Sequence, residues 1–537
     1  METTAAPEQI TIPEAPEMVA VLHKRPRFAV RDALMALLIW LAMLLRIELG
    51  NVAVRPTGGF LFAVGLIGLS LLYMRLDKIR LTLRAGLAAG LSLLFAGILL
   101  LGGQPLLLHL CFTASFVCRI YFLLTAYGAS GETRLGRLIG FDALKAFLVL
   151  PFSSLGALFP ALFRRKREKG GSKAVLWVFL GLFLAIIPVI ITLAVFAMDD
   201  VMFRDFLGKI QWPRFPDIMR HIGNSILALP LALWVFGLFT SLREKKCERA
   251  LSAGGHEKFR KALRICPSAL LLGFIAPLLL VYAVYIGFTM PNIFAAFSGN
   301  LPAAYTASAF AREGFFSLCF IGAVNTGYAY LLSVLHKQPT RTSEKLGNWA
   351  VGLLSALNLL LSAQAAARLW LYISRFGLSL LRVYAGWFIL LLSICFIWIF
   401  IRQLHVKFPV ARCIVFTGTA MLLLLAILSP ARLVARYNVA RIEAETWYVD
   451  VDSHKVFMDE GRLLPEAVPE LARLPKDTVL GYPRTYYTYE STKDVRVGDL
   501  LAKEREFDAR EKQLSPWERL LRFSFTSLWR DRAMGRQ

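Results

Sequence analysis

A group of residues suited to binding an anion lies along one apolar segment in the C-terminal half of the chain. Gln364, Arg368, Tyr372 and Arg375 are spaced four, four and three residues apart, and this spacing places them along one side of a helix. Arginine presents a planar guanidinium group that binds carboxylates and phosphates through two parallel hydrogen bonds. Arginines at the non-cytoplasmic end of a membrane helix also run against the usual charge bias, so this helix is the strongest functional indication in the sequence.

Charged and polar residues at the ends of neighbouring apolar segments extend this group. With the topology described below, these ends all face away from the cytoplasm. The candidate ligand-binding residues are Arg312, Glu313, Arg368, Tyr372, Arg375, Arg382, Arg436 and Asn438. The arginines would supply the binding charge, Tyr372 an aromatic wall and Glu313 a counter-ion. The alternative is that Glu313 and Glu48 pair with some of the arginines, while the others extend to water or anchor the C-terminal tail to the bundle.

A second group of polar residues lies within the apolar segments themselves. Its members are His109, Arg119, Asn325 and Asn358. An ionisable group in hydrocarbon costs free energy and is therefore a functional candidate. His109 could relay protons, and possible partners of Arg119 near the inner side are Asp32, Asp142 and Lys145. The alternative for these residues is hydrogen bonding between helices.

Metal and nucleophile chemistry has little support. Asp450, Asp452 and His454 would share one side of a strand, but no fourth ligand is identifiable, and a polar solvent-facing strand explains the pattern. Seven cysteines are present without a CxxC pair, and no HExxH motif or Gly-rich phosphate loop occurs. We therefore expect no metal and no cofactor, and the sequence favours a non-enzymatic protein.

Apolar segments long enough to cross a bilayer position these residues. Apolar residues make up 57% of the 537 positions and the mean hydropathy is +0.56, which is typical of a protein with many membrane spans. The predicted fold class is all-α membrane, a polytopic helical bundle of about 11 spans with a small C-terminal extracytoplasmic α+β domain. The predicted spans cover residues 29–49, 57–74, 85–102, 105–127, 174–198, 222–242, 268–289, 314–335, 349–373, 380–401 and 409–429.

The charge distribution indicates the orientation and argues against a nucleic-acid partner. The net charge is +24, but residues 431–537 carry 19 basic and 18 acidic residues, which leaves +23 for residues 1–430. That excess lies mostly in alternate loops, for example in 164–173 and 243–264, as the positive-inside rule expects. We therefore expect the N-terminus in the cytoplasm and the C-terminus outside it. The basic cytoplasmic loops could contact a protein partner.

Two segments outside the regular spans complete the N-terminal part. Residues 1–27 have no apolar run and are predicted to be a disordered cytoplasmic tail, while 28–430 form the transmembrane bundle. Within the bundle, 138–163 is apolar but contains charged residues and prolines. As a full span it would place the basic run 164–173 outside, so we predict an interfacial or re-entrant segment.

The predicted extracytoplasmic domain, 431–537, contains three recognisable patterns. Residues 447–457 alternate between apolar and polar, which indicates a short strand or hairpin, and 464–474 is typical of a short helix. Residues 515–529 predict an amphipathic helix that Ser515 can cap. The apolar side of that helix comprises Trp517, Leu521, Phe525 and Leu528.

Four stretches resemble the pattern of a family of bacterial integral membrane proteins that carry a domain of unknown function. They are AREGFFSLCFIGAVN (311–325), RLWLYISRFGLSLLRVYAGWF (368–388), LVARYNVAR (433–441) and EAVPEL (466–471). Before Ala431 the family has Asn-Pro-Asp where this chain has Leu428-Ser429-Pro430, so any acidic role of that aspartate is absent here. The resemblance implies a multi-pass protein of the bacterial cell membrane and no particular reaction.

Three functions therefore remain open. The first is binding, transport or sensing of an anionic solute or lipid head group at the outer face. The second is a glycan- or lipid-modifying transferase of the envelope, with Glu313 as base and the arginines binding a diphosphate. The third is a membrane scaffold or signalling partner without a ligand. The lipid bilayer is the expected partner in all three.

Overall fold

The computed structural model describes residues 30–130, 139–162, 192, 216–244, 264, 267–297, 315–335, 341–405, 408–447, 449, 453–459, 462–482 and 494–535. Several predicted features lie outside these residues. They are the N-terminal tail 1–27, the span 174–198, Arg312, Glu313, Asp450 and Asp452.

The described residues form helices and two small sheets. The helices of the bundle are α1 Val30–Leu49, α2 Pro56–Leu76, α3 Leu83–Leu101, α4 Pro105–Ala126, α5 Ile139–Leu144, α6 Leu150–Ser153, α7 Leu158–Leu162, α8 Pro216–Arg243, α9 Ser268–Phe297, α10 Phe315–Leu335, α11 Arg341–Phe376, α12 Leu380–Leu404 and α13 Val410–Leu428. A π-helical turn, Lys145–Val149, and a 3₁₀ turn, Leu155–Ala157, lie between α5 and α7. The tail contains the helices α14 Pro430–Glu443, α15 Val468–Leu471, α16 Val497–Lys512, α17 Pro516–Arg522 and α18 Phe525–Gly535. It also contains two antiparallel strand pairs. Strand β1 Met458–Asp459 pairs with β2 Arg462–Leu463, and β3 Val479–Gly481 pairs with β4 Val495–Arg496.

An all-α membrane protein is confirmed at this coarse level. Among the described residues, seven helices are long and apolar enough to cross a membrane, namely α2, α3, α4, α8, α11, α12 and α13. Apolar segments of this length form helices because lipid offers no partner for backbone N–H and C=O groups, which a helix satisfies internally. Helices also occupy the other predicted spans that lie among the described residues. The total of eleven spans stays a prediction.

The segment 138–163 is a bent helical element. Its parts Asp142–Ser153 and Leu155–Ala161 meet at 45°, and both pack against α8. The indole nitrogen of Trp234 on α8 donates to the Phe147 carbonyl at 3.1 Å, in the irregular π-helical turn. A broken span has the same geometry as a re-entrant segment, so the interfacial or re-entrant assignment stays a prediction.

One face of the bundle gathers the start of α1 and the ends of α2, α4 and α8. We call it the distal face and define it by Arg31, Asp32, Asp77, Tyr127 and Arg243. Asp32 accepts a hydrogen bond from Arg243. Asp77 accepts one from the Tyr127 hydroxyl at 3.0 Å and lies 3.7 Å from Arg31. These contacts hold the four helix ends together.

The opposite face carries the C-terminal tail, and we call it the tail face. It comprises the connections 50–55, 102–104 and 377–379. The Thr57 hydroxyl at the start of α2 donates to the Phe523 carbonyl at 2.9 Å. Gly102, after α3, has a φ of +78°, and a β-carbon there would lie 2.4 Å from the Thr526 hydroxyl. Glycine at this position therefore permits the close approach of α18 to α3.

Two predictions for the middle of the tail are corrected. The predicted strand 447–457 contains a 3₁₀ helix, Ser453–Phe457, and the strands β1 and β2 follow it. The Ser453 hydroxyl donates to the Leu480 carbonyl of β3 at 2.6 Å and holds this turn. A contact between residues so far apart in the chain cannot be predicted from the alternation of apolar and polar residues. Of the predicted helix 464–474, only α15 is α-helical.

The predicted single helix 515–529 is two helices, α17 and α18, that are separated just before Ser524. Ser515 caps α17 as predicted, because its hydroxyl accepts from the Glu518 amide at 3.2 Å. The Ser524 hydroxyl then accepts from the Ser527 amide at 3.4 Å. A second serine at a capping position therefore begins a new helix and changes the direction of the chain.

Candidate functional site

The turn between α11 and α12 is held by a residue of α14. Asn438 is fully buried, its side-chain oxygen accepts from the Leu378 amide at 2.9 Å, and its side-chain nitrogen donates to the Leu378 carbonyl at 2.7 Å. Gly377 adopts a φ of +74°, and a β-carbon there would lie 2.7 Å from the Asn438 oxygen. The close approach of Asn438 to the turn therefore depends on glycine at position 377.

Arg382 completes the same turn. It donates to the Phe376 carbonyl at 2.9 Å and to the Gly377 carbonyl, and its guanidinium carbon lies 4.0 Å from the centre of the Tyr372 ring. The carbonyls belong to the end of α11, where the last C=O groups lack helical partners and the helix dipole favours a positive charge. The aromatic ring adds a cation–π contact on the other side of the guanidinium group.

These contacts bring together three of the residues that the sequence predicts for anion binding. We call this group the turn cluster and define it by Tyr372, Gly377, Leu378, Arg382 and Asn438. The Arg382 guanidinium and the Asn438 amide are engaged by backbone groups of the turn. Asn438 holds the tail helix α14 on the bundle, whereas Tyr372 and Arg382 stabilise the turn itself, and the role of all three in anion binding stays a prediction.

Polar side chains of three membrane helices form a column of two separate hydrogen-bonded groups. At its end near the tail face, Gln364 of α11 is 1% exposed. Its side-chain oxygen accepts from the Thr289 hydroxyl of α9 at 3.2 Å, and its nitrogen lies 3.5 Å from the Tyr285 hydroxyl. Arg368, one turn further toward the tail face on α11, is half-buried. The side chain that continues the column toward the surface is therefore an arginine.

Deeper in the bundle the column continues through two buried asparagines. Asn325 of α10 accepts from the Tyr282 hydroxyl at 2.9 Å and donates to the Asn358 side-chain oxygen of α11 at 2.7 Å. Asn358 in turn donates to the Leu354 carbonyl at 2.7 Å. The geometry is that of hydrogen bonding between helices, the alternative stated for these two residues. The polar column, as used below, comprises Tyr282, Tyr285, Thr289, Asn325, Asn358 and Gln364.

The other predicted anion ligands that the structure describes lie apart from one another on the tail face. Arg375 and Arg436 are exposed, on α11 and α14 respectively. Arg312 and Glu313 lie outside the described residues. Within the described part of the chain, the structure therefore places Arg368, Arg375 and Arg436 on one side of the bundle without forming a closed pocket from them.

Glu48 has partners other than the arginines that the sequence suggested. At the end of α1 its carboxylate accepts from His221 at 2.6 Å and from the Asn224 amide at 3.0 Å. Both partners lie near the start of α8. Glu48 therefore joins α1 to α8 on the side opposite to the Asp32–Arg243 pair.

The two ionisable residues predicted within α4 differ in their surroundings. His109 is exposed, and its Nδ1 lies 2.6 Å from the Pro105 carbonyl of the same helix. Arg119 is 4% exposed and donates to the Ser115 hydroxyl at 3.5 Å. Asp32, a predicted partner of Arg119, pairs instead with Arg243 on the distal face. His109 therefore lies at the surface of the protein, whereas Arg119 lies inside the bundle.

An apolar groove of about 330 Å³ lies between α11 and α12 on the surface of the bundle. Its lining includes Ala366, Trp370, Gly386 and Ile389, and none of the predicted anion ligands lines it. Trp370 is 60% exposed, so the groove opens toward the bilayer. Its lining is mostly apolar and contains no charged residue, so it suits a hydrocarbon chain better than a free anion.

Glu466 is a further candidate functional residue that only the structure reveals. In the sequence it is simply the first residue of the EAVPEL stretch. It is 4% exposed, its Oε1 accepts from the Ser429 hydroxyl at 3.3 Å, and its Oε2 has no hydrogen-bond partner among the described residues. It lies beside Gly103 of the α3–α4 connection. Burial raises the pKa of Glu466, and the hydrogen bond from Ser429 opposes that rise only in part. A titratable carboxyl group therefore lies where α13, α14 and the tail core meet.

Among the described residues, no group of three or more His, Cys, Asp or Glu side chains could hold a metal ion. His454 of the considered Asp450–Asp452–His454 set is 8% exposed in the tail core, while the two aspartates lie outside the described residues. The absence of a metal site and of a cofactor stays a prediction for the whole chain.

Comparison with known proteins identifies a family and no relative of known activity. Residues 85–474 match the model of a domain of unknown function (DUF4153). No curated protein and no solved structure matches the chain. The match covers more than half of the chain and includes the polar column, the turn cluster and Glu466. The predicted resemblance to a family of unknown function is therefore confirmed, and the chain belongs to the DUF4153 family.

Proposed function

We propose that this protein binds an anionic solute or lipid head group on its tail face, and that it transports or senses that ligand. Arg368 would bind the anion, while Arg375 and Arg436 would raise the positive potential around it. The observation that supports this function is the position of Arg368, half-buried and one helical turn from the buried Gln364 at the end of the polar column.

The polar column gives a physical reason why binding could affect the bundle. Buried polar groups between membrane helices cost free energy unless they are hydrogen-bonded. The Gln364 side-chain nitrogen lies 3.5 Å from the Tyr285 hydroxyl of α9, so an anion that recruits this N–H group would compete with a contact between α11 and α9. Ligand binding at Arg368 would thereby change how these two helices pack. Such coupling is needed for transport or sensing, and it would have no use in a passive scaffold.

Binding can be measured by the thermal stability of the purified full-length protein. The probes are inorganic phosphate, sulfate, pyrophosphate and phosphatidylglycerol, each compared with chloride and with phosphatidylcholine. We expect at least one anionic probe to raise the melting temperature of the wild-type protein. Arg368→Gln should weaken the affinity for that probe roughly tenfold to a hundredfold, because a hydrogen bond to a charged group contributes about 1.5–3 kcal/mol.

The controls separate binding from folding. Arg473→Gln changes another arginine, which is paired with Glu470 at 2.8 Å in the tail, and should leave the affinity unchanged. Arg368→Lys keeps the charge but loses the planar fork and should give an intermediate affinity. A wild-type protein that responds to none of the probes would contradict the proposed function, as would an unchanged affinity in Arg368→Gln.

Transport and sensing differ in whether the ligand crosses the membrane. Proteoliposomes loaded with the anion that raises the melting temperature would show release of that anion if the protein transports it. Binding without release, together with a change in hydrogen exchange of α9 and α11, would favour sensing. Release that is equal in wild type and Arg368→Gln would exclude transport through this site.

A further inference from the structure

The two C-terminal helices expose an unusually apolar surface for a part of the chain outside the bundle. The exposed fractions are 60% for Trp517, 49% for Leu520, 46% for Phe525, 38% for Leu528 and 49% for Trp529. We call these five residues the aromatic face. Leu521 of the same helix turns inward and is 3% exposed, so it is not part of this face.

The inner side of α17 is attached to the start of a membrane helix. Arg55 donates to Glu518 at 3.0 Å, and the Thr57 hydroxyl donates to the Phe523 carbonyl at 2.9 Å. Leu521 belongs to the same apolar cluster as residues of α1, α2 and α4. α2 is one of the helices long and apolar enough to cross the membrane, and these contacts lie at its first residues. The aromatic face therefore lies at the height where α2 enters the bilayer.

The charges around the aromatic face are positive on balance. Arg519 and Arg432 are exposed, and the guanidinium carbon of Arg432 lies 5.6 Å from the centre of the Trp529 ring. The nearby carboxylate of Glu518 is already engaged, at 3.0 Å by Arg55 and at 2.9 Å by Arg522. The exposed arginines therefore remain available to groups outside the protein.

We infer that the aromatic face lies in the head-group layer of the leaflet on the tail side and binds anionic phospholipid there. Tryptophan is enriched at the membrane–water boundary because its ring is apolar and its N–H can reach water. Arginines beside such a face bind lipid phosphates, and each contributes on the order of fivefold to the preference for anionic lipid. This surface is separate from Arg368 and does not depend on the proposed function.

Insertion of the apolar residues can be tested in nanodiscs that contain the full-length protein. Lipids brominated near the head group quench tryptophan fluorescence over short distances only. We expect the double variant Trp517→Phe and Trp529→Phe to lose a strongly quenched component that the wild type shows. Trp447→Phe is the matched control, since Trp447 lies beside Gly377 in the tail and should contribute no strongly quenched signal. A double variant that retains the full quenched component overturns the inference.

The preference for anionic lipid is tested by hydrogen exchange of residues 516–535 in nanodiscs of phosphatidylcholine with and without phosphatidylglycerol. We expect severalfold stronger protection with phosphatidylglycerol, and loss of this difference in the double variant Arg432→Gln and Arg519→Gln. Equal protection in the two lipids overturns the inference. Protection that rises with protein concentration rather than with anionic lipid also overturns it, because a second copy of the chain would then cover the face.

Discussion

Asn438 and Leu378 lie 60 residues apart in the chain, and the asparagine side chain bonds both backbone polar groups of the leucine, at 2.9 Å and 2.7 Å. The side-chain amide bonds the leucine as a residue of a neighbouring strand would, since it offers one acceptor and one donor in the same plane. This pairing joins the helix that follows the last membrane span to the turn between α11 and α12. Four predictions concern the residues on which this arrangement and the polar groups near it depend, and one concerns orientation.

Replacement of Asn438 should detach the tail helix from the turn. Asn438→Ala leaves the Leu378 N–H and C=O without their partner, and we expect a loss of about 2 kcal/mol in the free energy of unfolding. Asn438→Asp keeps the acceptor but loses the donor, so its loss should be at least as large. Ala440→Gln, at an exposed position of the same helix, is the control. Denaturant unfolding followed by hydrogen exchange of 430–443 measures both effects, and equal stability of Asn438→Ala and wild type would contradict the role of the pairing.

Gly377 should tolerate no side chain. Gly377→Ala must hold a β-carbon at a φ of +74° and within 2.7 Å of the Asn438 oxygen. Strain of this kind costs about 1–3 kcal/mol, which the melting temperature would report. Gly418→Ala in α13 is the matched control, because no atom lies within 4 Å of its β-carbon position. A Gly377→Ala protein as stable as Gly418→Ala would show that the turn adapts.

Two carboxyl groups of the tail should respond to pH in opposite directions. The pKa of Glu466 is raised by burial, so its contribution favours the docked tail at low pH and is lost as the pH rises through the raised pKa. The pKa of Glu518 is lowered, first by the hydrogen bond from Arg522, so its contribution is present at neutral pH and is lost as the pH falls through the lowered pKa. Glu466→Gln should therefore stabilise the tail at neutral pH, on the order of 1–3 kcal/mol, and have little effect in acid.

The matched variant for this experiment is Glu518→Gln. It should destabilise the tail at neutral pH and have no effect in acid. Limited proteolysis of the full-length protein as a function of pH gives the stability of the docked tail for each variant. If Glu466→Gln lowers the stability at neutral pH, the buried carboxyl group is ionised and has a partner that stabilises its charge.

The two asparagines of the polar column should be energetically coupled. Asn325 donates to Asn358 at 2.7 Å. A double-mutant cycle with Asn325→Ala and Asn358→Ala should give a coupling energy of about 0.6 kcal/mol, the average for hydrogen bonds between membrane helices, and no more than about 1.7 kcal/mol. The pair Asn325 and Ser393, on helices α10 and α12, provides a control cycle, because the Ser393 hydroxyl donates to the Ile389 carbonyl of its own helix at 2.8 Å. Additive effects of Asn325→Ala and Asn358→Ala would show that the bond does not form in the membrane.

Reporter fusions can measure the orientation of the bundle in the membrane. The positive-inside rule predicts that the tail face lies outside the cytoplasm and that the distal face lies within it. A reporter fused after Gln537 should be active only outside the cytoplasm. A reporter inserted in the basic loop 243–264 should be active only inside. Reversed activities would place Arg368 and the aromatic face at the inner leaflet, although their geometry within the protein would be unchanged.

Local residue patterns were sufficient to predict most helices of the bundle. An apolar run of about 20 residues has only one backbone arrangement that satisfies its hydrogen bonds in lipid, so the positions of α2, α3 and α4 follow from hydropathy. Ser515 was likewise recognisable as a helix cap, since capping depends on residues three positions apart. The break before Ser524 was not, because the helix ends where the Phe523 carbonyl bonds to Thr57, more than four hundred residues away.

The sequence by itself determined that this is a helical membrane protein and that arginines collect at one end of its helices, because hydrophobicity and charge act on each segment separately. Only the tertiary structure decided what those polar groups contact. It assigned Arg382 and Asn438 to a backbone turn, bonded Gln364 to α9 and Asn325 to Asn358, and buried Glu466 at a junction of distant segments. Hydrogen bonds act over about 3 Å, and which groups come that close depends on how the helices pack, which no local pattern contains.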